Sequence, residues 1–158
     1  MIVKDIIIED FINYKKPSMT IAFPYCSFKC EKECGIKCCQ NNALIISPNV
    51  NINIERIVEL YINNPITQAI CFQGLEPFDS WNDILQLITL LRKQTLDDIV
   101  IYTGYYEDEI QPYIDRLKAD FKNIIIKFGR YVPNQQPHYD EVLGVKLASD
   151  NQKGVRIC

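Results

Sequence analysis

The feature that most constrains this chain is the alternation of short apolar runs with amphipathic helical patterns. Thr20-Ile21-Ala22-Phe23-Pro24, Ala69-Ile70-Cys71-Phe72, Asp98-Ile99-Val100-Ile101-Tyr102 and Asn123-Ile124-Ile125-Ile126-Lys127-Phe128 read as strands. Near-continuous apolar runs of that length suit strands buried on both faces. Between the first two, Asn53 caps a helix whose Ile54, Ile57, Val58, Tyr61 and Ile62 fall on one side, and Asn64-Pro65 ends it. Ser80 and Asp83 resemble a capping box ahead of a second helix with Ile84, Leu87, Ile88 and Leu91 inward. Glu107 and Asp108 suit the electropositive start of a third, with Ile110, Ile114, Leu117 and Phe121 inward. Gly129 to His138 reads as irregular, and Gly144-Val145-Lys146-Leu147-Ala148 as a last strand.

Such alternation implies an α/β fold with right-handed crossovers, a mainly parallel sheet and helices outside. An eight-fold barrel takes about 250 residues. A chain of 158 residues therefore reaches only a partial, open (βα) barrel. Repeats, low-complexity tracts and linker-like stretches are absent, so residues 1–158 read as one domain. In open sheets of this kind ligands sit at the carboxyl ends of the strands. Three notable loops fall there: a cysteine loop after the first strand, Gly74-Leu75-Glu76-Pro77 after the second, and Thr103-Gly104-Tyr105 after the third. They are expected to build one composite site.

Seven cysteines stand out, and five of them (Cys26, Cys30, Cys34, Cys38 and Cys39) lie within fourteen residues. The N-terminus, Met1-Ile2-Val3-Lys4-Asp5, is broken by charge too early for a signal peptide, and the apolar runs are too short to cross a bilayer. A cytosolic location is expected, where thiols stay reduced and a tight cysteine cluster points to a metal or iron–sulfur site. A net charge of −3 and a pI near 5.2 give no electrostatic case for nucleic acid or an anionic membrane. One histidine and no suitable serine context leave a hydrolase triad unsupported. His138 itself reads as a solvated loop residue, Cys71 as a small core residue and Cys158 as a free thiol.

Cys26 and Cys30 stand at a C-x3-C spacing, and Cys39-Gln40-Asn41 follows after eight residues. Thiolates suit iron in a sulfide cage, and a cluster held by three of them keeps one iron free for a substrate. The loop resembles that of the radical S-adenosylmethionine superfamily, where C-x3-C-x2-C holds a 4Fe–4S cluster. In particular it resembles the activating proteins of anaerobic (class III) ribonucleotide reductases, in which asparagine follows the third cysteine by two. The resemblance implies Cys26, Cys30 and Cys39 as ligands, with an insertion between Glu31 and Cys38. Cys34 is the rival third ligand, Cys38 a weaker one, and adjacent Cys38 and Cys39 are poorly placed to serve together. A structural zinc site on Cys26, Cys30, Cys34 and Cys38 competes, although zinc ligands usually pair across two elements.

Phe72-Gln73-Gly74-Leu75-Glu76-Pro77 resembles the superfamily's G-G-E-P motif, with Leu75 replacing the second glycine. By that resemblance Gly74 and Glu76 receive the ammonium group of S-adenosylmethionine, and Thr103 and Gly104 approach the same cofactor. Gly129-Arg130-Tyr131 and Ser149-Asp150-Asn151-Gln152 resemble the closing segment, Asn151 and Gln152 more as turn residues than as cofactor ligands. The likeness runs from about Glu9 to Gln152. It implies an enzyme that reductively cleaves S-adenosylmethionine and stores a glycyl radical on the large subunit of an anaerobic ribonucleotide reductase. A flavodoxin- or ferredoxin-type protein is the implied electron donor. Two other readings are another small radical enzyme, and a non-enzymatic iron–sulfur or zinc-stabilised module for electron transfer or interaction.

Overall fold

A computed structural model describes residues 1–158. In chain order the elements are β1 (Ile2–Val3), β2 (Asp5–Asp10), β3 (Ser18–Phe23), α1 (Lys29–Cys34), α2 (Asn42–Ile46), β4 (Val50–Asn51) and α3 (Ile54–Ile62). They continue with β5 (Ala69–Gly74), α4 (Trp81–Arg92), β6 (Asp98–Tyr102), α5 (Gln111–Asp120), β7 (Ile124–Phe128), β8 (His138–Asp140), β9 (Val145–Leu147) and β10 (Lys153–Arg156). The main sheet has the order β10-β7-β6-β5-β3-β2, with β3, β5, β6 and β7 parallel and the two edge strands antiparallel. The sheet stays open, as expected for so short a barrel.

Alternation along the parallel strands sorts their side chains between two faces. Met19, Ile21, Phe23, Ile70, Phe72, Ile99, Ile101, Ile124, Ile126 and Phe128 point to one side. There they join Ile57 of α3, Leu87 and Leu91 of α4 and Leu117 of α5 in a cluster of 22 buried residues. At about 1.5–3 kcal/mol per large apolar side chain, this face supplies most of the driving force for folding. The opposite face holds a cluster of only 7, in which Ala69, Cys71, Val100 and Ile125 meet Tyr14, Leu143 and Leu147. Helices α3, α4 and α5 therefore cover one side alone, and the sparsely filled side opens into a concavity.

Asn53 caps α3 as expected, its side chain accepting from the Glu55 N–H at 2.9 Å. Four expectations are corrected. The Ser80–Asp83 capping box does not form, because a 3-10 turn over Pro77–Ser80 precedes α4 and the Ser80 hydroxyl has no partner. The third helix begins later than Glu107. A 3-10 turn occupies Glu107–Glu109, and α5 starts at Gln111 with Pro112 in its first turn, where a missing N–H costs nothing. Val145–Leu147 is not the sheet's last strand; it pairs with β8 in a separate hairpin, and β10 takes the edge. His138 lies in β8, half-buried with its Nδ1 unpartnered. No helix is long and apolar enough to cross a membrane.

Candidate metal centre

Parallel register brings the three loops together. Phe23 at the end of β3 stands beside Gly74 at the end of β5. Pairing continues past both strands, with the Leu75 N–H donating to the Phe23 carbonyl at 3.1 Å and the Glu76 N–H to Tyr25 at 2.7 Å. Gly74 has φ +95°, and a Cβ there would meet the backbone of Phe23 and Ala22 at 2.7–2.9 Å. Only glycine permits this approach of two chains. The cysteine loop and the Gly74-Leu75-Glu76-Pro77 loop consequently leave the sheet side by side.

Between them lies a cavity of about 290 Å³. Cys26, Cys30 and Cys39 line it, and so do Gly74, Glu76, Thr103 and Gly104. Cys34 and Cys38 do not line it; their sulfurs face one another at 2.8 Å. Cys26 follows β3, and its sulfur accepts the Phe28 N–H at 3.2 Å, a contact made as Phe28 turns left-handed at φ 53°. Cys30 sits in the first turn of α1. Cys39 is positioned by its N–H donating to Glu31 Oε1 at 3.3 Å, and by Asn41, whose amide donates to the Gly74 carbonyl at 2.5 Å. Asn41 therefore fastens the segment that carries Cys39 to the end of β5.

Burial pushes the Cys26 thiol up to about 12, with Glu76, Asp79 and Cys30 adding to the rise against the Phe28 N–H. The Cys30 thiol is also raised, by burial and then by Cys39. Thiolates are costly in such a place without a cation, and a bound metal supplies one. No three acidic, histidine or cysteine side chains converge on a point that would hold a single ion. A 4Fe–4S cluster would be held here by the thiolates that line the cavity. Donor type and the backbone N–H on Cys26 fit an iron–sulfur cluster.

Glu76 is buried to 4% exposure. Its Oε1 accepts from the Thr103 hydroxyl at 2.8 Å and the Phe78 N–H at 3.1 Å, and its Oε2 from the Gly104 N–H at 2.9 Å. It staples the end of β5 to the end of β6. Burial still pushes its carboxyl up to about 7, because the opposing partners Gly104, Thr103 and Phe78 are all neutral donors and Asp79 lies near. Three of roughly four acceptor directions are thus committed to the protein.

Sequence reasoning missed Lys127. It interrupts an apolar run between Ile126 and Phe128, and the register that turns those two toward the helices turns Lys127 into the cavity. Its ammonium donates to the Gly129 carbonyl at 2.6 Å, and burial pushes it down to about 8 against the pull of Glu76. A lysine inside a run of isoleucines was the available signal. Gln152 turns the chain, accepting from the Ala148 and Ser149 N–H groups, and lines the cavity as well. Asn151 donates to the Arg130 carbonyl at 2.9 Å. Arg130, 6% exposed, pairs with Glu109 at 2.7 Å and Glu33 at 2.8 Å, and lies 4.3 Å over the Tyr106 ring. With Lys29 on Glu109 at 2.9 Å, it clamps α1 over the cavity.

A family described as a 4Fe-4S single cluster domain matches residues 18–152. Among curated proteins, Exportin-2 of Oreochromis niloticus and of Pagrus major are each 29% identical over 90 residues, 52% of this chain and 9% of theirs. Exportin-2 of Xenopus laevis is 28% identical over the same shares. The chain thus spans about a tenth of the length of these relatives, which leaves the likeness partial on both sides. No solved structure matches the chain.

Proposed function

We propose that this chain, which belongs to the 4Fe-4S single cluster domain family, is a radical S-adenosylmethionine activase for an anaerobic ribonucleotide reductase. One observation carries the reading: three cysteines of five line a cavity at the strand ends, beside Gly74, Glu76, Thr103 and Gly104, while Cys34 and Cys38 lie outside its wall and face one another. Three thiolates leave a fourth iron open, and four close it.

Within this reading Cys26, Cys30 and Cys39 hold the cluster. When bound, it supplies reductive cleavage of the S-adenosylmethionine sulfonium, yielding methionine and the radical that takes hydrogen from a glycine of the reductase. The chain's own residues bind, orient and exclude water. Glu76 offers its remaining acceptor capacity to the ammonium group of methionine, held in place by Thr103 and Gly104. Lys127 adds positive charge to the same wall, suited to a carboxylate. Lys29, Arg130 and Glu109 keep α1 across the opening and limit solvent entry. The uncovered flank of the short barrel admits the protein substrate, and a flavodoxin- or ferredoxin-type donor delivers the electron.

Anaerobic reconstitution tests this. About four irons per chain and release of 5′-deoxyadenosine dependent on dithionite are expected. Cys39→Ala should abolish both, and Cys34→Ala neither. One zinc without iron, or a cluster inert toward S-adenosylmethionine, would leave an interaction or electron-transfer module instead.

A further inference from the structure

Five thiols crowd the cysteine loop, and a cluster with an open iron needs three. The surplus pair is not scattered. Cys34 closes α1, Gly35 turns the chain at φ 70°, and Cys38 comes back so that the two sulfurs stand 2.8 Å apart, both half-buried and reachable from solvent. A disulfide bond is about 2.05 Å, so bonding requires less than an ångström of movement. The intervening Gly35, Ile36 and Lys37 are exposed. Neither sulfur lines the cavity, although the Cys38 thiol also lies against that of Cys30, which is what puts it within reach of a cluster. The flanking backbone is anchored independently, by Glu33 on Arg130 and by the Cys39 N–H on Glu31.

We propose that Cys34 and Cys38 form a reversible disulfide, made by exchange with a low-molecular-weight disulfide such as oxidised glutathione, which withdraws both sulfurs from competition for the cluster. The step balances. The Cys34 thiolate attacks the glutathione disulfide and expels one glutathione; Cys38 then attacks the mixed disulfide and expels the second. Two protein thiols are oxidised and one small disulfide is reduced to two thiols. Reduction by excess glutathione reverses it. The pairing has a chemical purpose in a loop this dense, since any fourth thiolate reaching the cluster would cap the iron left open. Joined to one another, neither sulfur is available as that cap.

The proposal rests on Cys26, Cys30 and Cys39 being the ligands, and its test separates the two ideas. Reconstituted protein is incubated anaerobically with oxidised glutathione, its iron is counted, free thiols are blocked with N-ethylmaleimide, and the chain is cut with trypsin. Cleavage after Lys37 puts Cys34 in the fragment Glu33–Lys37 and Cys38 in Cys38–Arg56. The expected result is two fragments joined until a reductant is added, with iron held at about four per chain. The double variant Cys34→Ser, Cys38→Ser should keep the iron and lose the linkage. Cys38→Ser alone should also lose it, which distinguishes Cys38 from Cys39 as the bonded partner. Separate, doubly blocked fragments with full iron would overturn the disulfide and leave the ligand assignment standing. Loss of iron in the double variant, or a linkage that appears only as iron is released, would overturn the proposal by placing one of these sulfurs on the cluster.

Discussion

The two ends of the parallel sheet each bury a carboxylate, and they treat it in opposite ways. At the amino end Asp98, 5% exposed, is met by Lys16 at 2.5 Å, Arg156 at 2.9 Å and the Tyr14 hydroxyl at 3.0 Å. Burial would raise its carboxyl, but Lys16, Arg156 and Tyr14 outweigh that and hold it below the usual range. At the carboxyl end Glu76, 4% exposed, has only a hydroxyl and two backbone N–H groups, and sits near 7. The two carboxyls thus shift in opposite directions: Asp98 meets two cations and a hydroxyl, whereas Glu76 lies deeper and meets only neutral donors. The amino end is electrostatically complete. The carboxyl end is not, and it is the end where the cavity and three thiols lie.

Gly74→Ala should act most strongly. Its Cβ would strike backbone at 2.7–2.9 Å at positive φ, costing about 3–5 kcal/mol in chemical denaturation of the metal-free protein. A loss below about 1 kcal/mol would mean that the ends of β3 and β5 are not locked, and the closed geometry of this end would have to be abandoned. Asp98→Asn comes next, at about 1–2 kcal/mol near neutral pH. Lys16 and Arg156 are more than a third exposed and re-solvate in part, which limits the loss. Glu76→Gln should cost less than Asp98→Asn at pH 8, since it also removes a charge from a buried site. The reverse ranking would break the comparison.

The pH dependence sharpens it. Glu76 rises from 4.5 to about 7 on folding, so its contribution is complete below 4.5 and fades as pH climbs through 7. The metal-free protein should lose about 3 kcal/mol from this group over that window, and Glu76→Gln should flatten the loss. Asp98, lowered from 3.8, contributes above 3.8 and loses its effect only as acid takes the pH below that value. Denaturant titrations of both variants from about pH 2.5 to about 8 separate the two trends. Ser80→Ala should matter least, within about 0.5 kcal/mol, because its hydroxyl caps nothing; a true cap would cost about 1 kcal/mol.

The four parallel strands were legible because both of their faces are buried, and burial on both sides writes itself as an apolar run. The edge strands were not. β2 and β10 are half-exposed, and Lys153-Gly154-Val155-Arg156 carries no pattern that tells an edge from a tail. The loops of the site were legible as a set, since strand order alone sends them to one end. How they are held was not: Asn41 on Gly74 spans 33 residues, and Glu76 on Thr103 spans 27. The inward turn of Lys127 needs the register of β7, which single-strand periodicity does not supply. The choice among cysteines rested on the residue two after Cys39, and Asn41 is the side chain that ties the segment carrying this cysteine to β5.

The clamp on α1 has a consequence for how this loop tolerates change. Lys29 and Glu33 are fastened upstream of Gly35, and Cys39 and Asn41 downstream of Cys38. Residues added or deleted within the short exposed arc between those moorings would lengthen or shorten a bight of slack rope, while the three thiols at the cavity stay where they are.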